Sequence, residues 1–258
     1  VTQVTATIQA RMGSSRLPGK VLKTIAGRPM LQIQIERVLR SRLVDRVVVA
    51  TTTDPRDDAI AELAEKTGID CFRGSEDDVL GRITDLIRAL GVELHVELIG
   101  DSPLSDPQII DEMIGIFLKA DGAWDYVSNG TQLSYPSGME VNVYPGAVLL
   151  DAESRVAADD PLREHVDIHI SKNDRYKRLL VEAPAWFHRP NLFLEVDTER
   201  DFEMMSQLIG HFLERGCPHF GLGQILDYLD RNPDLAALNR DEPRSWWAFK
   251  EKPEGYRG

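Results

Sequence analysis

Short runs rich in β-branched and apolar residues alternate with amphipathic stretches through the first 120 residues of this chain. The runs are Val4-Thr5-Ala6-Thr7-Ile8, Arg46 to Thr51, Ile69 to Arg73 and His95 to Ile99, and each reads as a buried strand. Between them, Pro29 to Arg42 places Leu31, Ile35, Val38 and Leu39 on one helical face. Arg56 to Thr67 reads as a helix stopped by Gly68, and Glu76 to Leu90 as a helix turning Val79, Ile83, Leu86, Ile87 and Leu90 inward. Asp106 and Pro107 supply the cap and first turn of another helix. This alternation specifies an α/β fold with a mostly parallel sheet and helices on both faces. Ligands of such sheets sit beyond the carboxyl ends of the strands. The loop at 10–20, Thr51 to Thr53 and Asp101 all fall there.

Past Ala120 the alternation loosens. Asp125 to Asn129, Met139 to Tyr144 and Leu192 to Asp197 read as strands. Asp160 to Ser171, Glu199 to Arg215 and Gly223 to Arg231 read as helices. With no linker in view, the second half is expected to extend the same sheet. Residues 1–240 then form one domain and 241–258 a tail, whose Trp246-Trp247 pair reads as a packing or dimer anchor.

The loop from Ala10 to Lys20 is the chemically richest stretch. Gly13 and Gly19 allow close backbone approach, Ser14 and Ser15 offer hydroxyls, and Arg11, Arg16 and Lys20 bring positive charge. The chain as a whole carries a formal charge of −12, so three cations in one loop point to a polyphosphate more than to a solvated turn. The same acidic balance argues against a nucleic-acid partner. Cys71 and Cys217 lack metal-ligand spacing. No apolar run reaches the length of a membrane span, and the opening residues carry no signal-peptide pattern. A cytoplasmic protein is expected.

The line from Ile8 to Leu22, Ile-Gln-Ala-Arg-Met-Gly-Ser-Ser-Arg-Leu-Pro-Gly-Lys-Val-Leu, closely resembles the opening loop of the CMP-sugar synthetases. These cytidylyltransferases activate acidic sugars, and the likeness is greatest to the spore coat polysaccharide biosynthesis protein F branch. It fits neither the Walker phosphate loop nor the Gly-x-Gly-x-x-Gly fingerprint. The resemblance continues through Arg73 to Arg82, Asp125 to Asn129, Tyr135-Pro136-x-Gly138, Arg163 to Val166 and Asn232 to Ala236. It implies a Rossmann-like nucleotidyltransferase fold of the glycosyltransferase-A type. It also implies Mg²⁺-dependent transfer of CMP from CTP to an acidic sugar or related anionic acceptor, releasing pyrophosphate, in surface polysaccharide or glycan synthesis.

Under that resemblance Arg11, Lys20 and Asp101 are catalytic. Ala10, Arg11, Gly13, Ser14, Ser15, Arg16, Lys20, Thr51, Asp78 and Arg82 contact the nucleotide. Asn129, Tyr135, Glu140, Asn142, Arg163 and His165 contact the acceptor, and Asp101 and Asp197 hold the metal. The partners implied are CTP and a small anionic acceptor, without nucleic acid or membrane, in a possible homodimer. Read without the resemblance, Asp101 is a loop acid or cap, Asp197 an N-cap and His165 a satisfied helical histidine. Some positions depart from the pattern. Glu97 stands where relatives usually carry Arg, Ile99 for Thr, Asn142 for Glu and Ser137 for Asp. Phe193 and Glu195 replace Arg and a small hydroxyl residue. These departures gather around the expected acceptor pocket. They leave open a non-catalytic nucleotide-binding scaffold, while a glycosyltransferase would want an Asp-x-Asp pair that Asp121 to Asp125 does not supply. The residues alone do not separate cytosine from uracil.

Overall fold

The computed structural model describes residues 2–130 and 134–244. β1 (Val4–Gln9) leads into the 10–20 loop, and β2 (Thr24–Ile25) and β3 (Arg28–Pro29) pair as a small hairpin. There follow α1 (Met30–Val38), β4 (Arg46–Thr52), α2 (Asp58–Thr67), β5 (Asp70–Gly74), α3 (Val79–Leu90), β6 (Leu94–Ile99) and α4 (Pro107–Lys119). The second half supplies β7 (Tyr126–Ser128), β8 (Asn142–Pro145), α5 (Gly146–Glu153), α6 (Ile168–Ser171) and β9 (Arg178–Leu180). It closes with α7 (Glu199–Glu214), α8 (Leu222–Arg231) and α9 (Pro233–Ala236).

One seven-stranded sheet carries the chain in the order β5-β4-β1-β6-β8-β7-β9. β8 alone runs antiparallel to its neighbours. As the alternation requires, helices cover both faces. Val4, Ala6 and Ile8 of β1 and Leu94, Val96 and Leu98 of β6 pack in one core with α1, α2, α4, α7 and α8. The other core takes Val48 and Ala50 of β4 with α3, α5 and α6. On that second face the central strands are polar: Thr5, Thr7, His95 and Glu97 are all buried.

Several boundaries differ from the sequence reading. α1 ends at Val38, four residues early, because Asp111 of α4 accepts from the Ser41 hydroxyl and the Arg42 and Leu43 amides and draws the chain away. α3 starts at Val79, since the Asp78 carboxylate caps it by accepting from the Gly81 amide at 2.7 Å. Residues 160–171 are not one helix. A 3-10 turn over Pro161–Glu164 and the short α6 are separated by His165, whose φ of −114° and ψ of 130° are extended. Residues 192–197 run extended beside the sheet without joining it. The Leu194 amide bonds to the Ser137 carbonyl and the Val196 amide to the Asp101 carbonyl, each at 2.8 Å. β8 begins only at Asn142, because the Asn129 side chain binds the Met139 carbonyl and the Val141 amide in place of a strand partner. The hairpin, α5 and β9 carried no period that set them apart in the sequence. Trp246 and Trp247 lie outside the described residues.

Candidate functional site

The 10–20 loop leaves β1 at the carboxyl edge of the sheet, where the Ala10 amide still bonds to the Ala50 carbonyl at 3.1 Å. Two anchors shape it. Asp57, 2% exposed, accepts from the Met12 amide at 2.7 Å and from the amide and hydroxyl of Thr52. Gly19, at a φ of 69°, turns the chain so that its amide reaches the Met12 carbonyl at 3.0 Å. The Gly13 and Ser15 amides donate to no described residue. Asp57 was not read as functional, and its only signal in the sequence is its place after Asp54-Pro55.

Lys20 is the centre of the site. Its ammonium, on a residue 8% exposed, donates to Asp197 Oδ1 at 2.8 Å, Asp101 Oδ2 at 3.3 Å and the Val196 carbonyl at 2.7 Å. Arg16 Nη2 meets the other Asp197 oxygen at 2.6 Å. Burial is the largest influence on Lys20 and draws its pKa down. Asp101 and Asp197 together outweigh it, so the ammonium is held protonated above its ordinary range. Two cations and two carboxylates thus neutralise one another at the mouth of β6.

Arg11 in the loop and Arg82 on α3 form a second pair of cations. Arg82 is buried, and its Nη1 donates to the Ser75 carbonyl at 2.6 Å while its Nε has no partner. Burial, and then the nearby positive charge of Arg11, push its pKa down to about 10. Among the described residues Arg11 makes only long contacts, 3.4 Å to the Glu76 carbonyl and 3.4 Å to Glu164. The Thr51 hydroxyl is also buried without a partner. Unpaired buried donors are costly, and the Arg82 Nε with Arg11 close by describes a place for an anion, whereas Thr51 shares the face of Val47 and Val49, away from α3. Among the described residues no group of three or more acids, histidines or cysteines could enclose a metal by itself. Asp101 and Asp197 suit a hard cation that keeps waters and shares phosphate oxygens.

The remaining expected residues are placed otherwise. Asp78 is the cap of α3 and is gripped by Arg163, Nε at 3.0 Å and Nη2 at 2.7 Å. Arg163 also reaches Glu153 at 3.3 Å. Asn129 braces the 139–141 backbone, and Tyr135 is buried in the core with its hydroxyl unpartnered. Glu140 folds back onto the Gly138 amide at 2.7 Å, and burial raises its pKa to about 7. His165 lies in the extended step between two turns, where burial lowers its pKa.

Apart from the exposed Ile99, the departures from the family pattern lie against one another. Glu97 and Asn142 face across β6 and β8. Glu97 accepts from Gln9 at 2.8 Å and from the Tyr144 hydroxyl at 2.6 Å. Asn142 accepts from Tyr126 and Ser128. The Ser137 hydroxyl donates to Glu195, and Arg244 answers Glu195 at 3.5 Å. Gly138, at a φ of 92°, lies where a Cβ would come within 2.5 Å of the Leu194 carbonyl oxygen, which brings these two segments together.

The family model described as cytidylyltransferase matches residues 5–211. Spore coat polysaccharide biosynthesis protein SpsF of Bacillus subtilis is 34% identical, over 89% of this chain and 95% of that one. An 8-amino-3,8-dideoxy-manno-octulosonate cytidylyltransferase of Shewanella baltica is 37% identical, over 80% and 84%. Among solved structures, a cytidylyltransferase from Leptospira borgpetersenii serovar Hardjo-bovis superposes with a TM-score of 0.86 at 29% identity, covering 95% of this chain and 99% of that one.

Proposed function

This chain belongs to the cytidylyltransferase family, and from that premise we propose that it transfers CMP from CTP to a small anionic acceptor, a sugar acid or phosphorylated sugar, with Mg²⁺ as cofactor. The observation that carries the reading is the neutral cluster of Arg16, Lys20, Asp101 and Asp197. A triphosphate and a divalent cation can enter it by exchange of partners. Phosphate oxygens take Arg16 and Lys20, and the released Asp101 and Asp197 hold the metal, so no charge is left buried alone. Held by Asp101 and Asp197, Mg²⁺ would supply positive charge against the phosphates and make the α-phosphorus more electrophilic.

The protein's own part is positioning and charge stabilisation. Arg11 and the Gly13 and Ser15 amides cradle the triphosphate on a loop fixed by Asp57. Arg82 Nε offers a donor to the nucleotide. Lys20, kept protonated, balances the charge that grows on the departing pyrophosphate. The acceptor oxygen attacks in line from the side of Glu140 and His165. The resemblance also assigns Asn129, Tyr135 and Asn142 to the acceptor, and Arg163 joins them only by leaving Asp78.

Thermal shift across CTP, UTP, ATP, GTP and dTTP with Mg²⁺ tests this. At a hundredfold excess over Kd, CTP is expected to raise the midpoint by about 5 °C or more, and the other triphosphates less. A shift with a UDP- or CMP-sugar alone would indicate a glycosyltransferase, and no shift with any ligand a scaffold.

A further inference from the structure

We propose that the C-terminal segment from Asn239 to Arg244 is a clamp that positions the phosphate and metal residues, with Arg244 as its positioning residue; this rests on the function proposed above. The segment meets the Asp197 turn from two sides. On one side, the fully buried Asp201 divides its carboxylate between two tasks. One oxygen accepts from the Asp197 and Thr198 amides at 3.0 and 2.8 Å, which sets the turn that carries Asp197. The other accepts from Asn239 Nδ2 and Arg244 Nη2, both at 2.8 Å. On the other side, the Pro243 carbonyl accepts from Arg16 Nη1 at 3.1 Å, while Arg16 Nη2 holds Asp197. The result is a closed ring: Arg16, Asp197, Asp201, Arg244 and, through one peptide, Pro243.

Charge explains why an arginine stands there. Glu195, Asp197 and Asp201 crowd acids into seven residues, all largely buried. Arg244 faces Asp201 and Glu195 together, with its guanidinium 4.3 Å from the Phe193 ring centroid. Nη2 carries the hydrogen bond to Asp201 and Nη1 makes only the longer ion pair to Glu195, and a planar guanidinium does both while stacking on an aromatic. Both Asp201 oxygens serve as acceptors, one for the two amides of the Asp197 turn and the other for Asn239 and Arg244.

The test is calorimetric CTP titration with and without Mg²⁺, alongside the Mg²⁺ concentration for half-maximal pyrophosphate release, for wild type, Arg244→Ala and Arg244→Lys. CTP affinity is expected to fall, and half-maximal Mg²⁺ to rise, about tenfold in Arg244→Ala. Arg244→Lys, which keeps the charge on Asp201 but cannot fork, is expected between. A folded Arg244→Ala with wild-type CTP and Mg²⁺ constants overturns the clamp. Should that variant not fold, Arg244→Lys decides: shifted constants support the clamp and unchanged ones overturn it. Wild type that binds no CTP overturns the function beneath it instead.

Discussion

Asp101 and Asp197 stand 81 and 177 positions from Lys20 in the chain, yet both carboxylates rest on its ammonium. Each reads locally as a cap or loop acid, and Thr198 with Asp201 does form a capping box at the start of α7. What separates Asp197 from that role is that Thr198 performs it, with Asp201 as its capping-box partner, leaving both Asp197 oxygens for cations. Asp101→Asn keeps the shape and removes the charge. With Mg²⁺ and CTP supplied, pyrophosphate release is expected to fall at least 100-fold, taking roughly the upper range seen for residues that merely support a metal ligand. Because Asp101 is partly exposed, the variant is expected to remain folded by circular dichroism. Retained Mg²⁺-dependent turnover would remove Asp101 from the metal site. The cations of the loop were legible in sequence because they stand out against an acidic chain, whereas the bond from Asp57 to Met12 was not, since one acid among many carries no period.

At the scale of elements, β6 shows how a strand can satisfy the pattern on one face and defy it on the other. Leu94, Val96 and Leu98 build the large core, while His95 and Glu97 face a buried polar layer. The His95 Nε2 and the Thr7 hydroxyl lie 2.7 Å apart, and the ring meets Tyr144 edge-on at 5.0 Å. Burial lowers the pKa of His95 to about 3. Burial, and then Asp167, raise that of Glu97 to about 8. The two act on stability with opposite sign. From about pH 3 to 6.5 the unfolded chain binds the His95 proton more readily, so this contribution grows with pH. From about 4.5 to 8 the native state binds the Glu97 proton more readily, so that contribution falls as pH rises. Between 4.5 and 6.5 they offset each other, and above 6.5 Glu97 remains. Relative to Glu97→Gln, the wild type is therefore expected to lose about 2 kcal/mol between pH 6.5 and 8, at roughly 1.4 kcal/mol per pH unit. Urea midpoints of both proteins across that range measure it. A constant difference would mean that Glu97 is already ionised in the fold.

Over the whole molecule, one sheet runs through both halves. β9, from residues 178–180, pairs in parallel with β7, and β8 pairs with β6 of the first half. Cores on both faces are shared across the chain, with Leu208 and Ile225 packing in the same cluster as Val4. Unfolding is therefore expected as a single transition, with far-UV circular dichroism and tryptophan fluorescence coincident in urea. Separated midpoints would show the second half to be an independent unit. No helix among the described residues is long and apolar enough to cross a membrane.

The sequence by itself determined the alternation of strand and helix in the first half, the sheet edge at which a ligand belongs and the loop that carries the cations. All of these rest on period and local composition, which a chain expresses without knowing its partners. Only the tertiary structure decided that residues 192–197 run beside the sheet, that Asp78 and Arg163 hold each other, and that Arg244 returns to Asp201. Those outcomes depend on which buried charges and unpaired amides meet across long separations. A carboxylate takes the nearest donors that folding leaves it, and that choice is made in space.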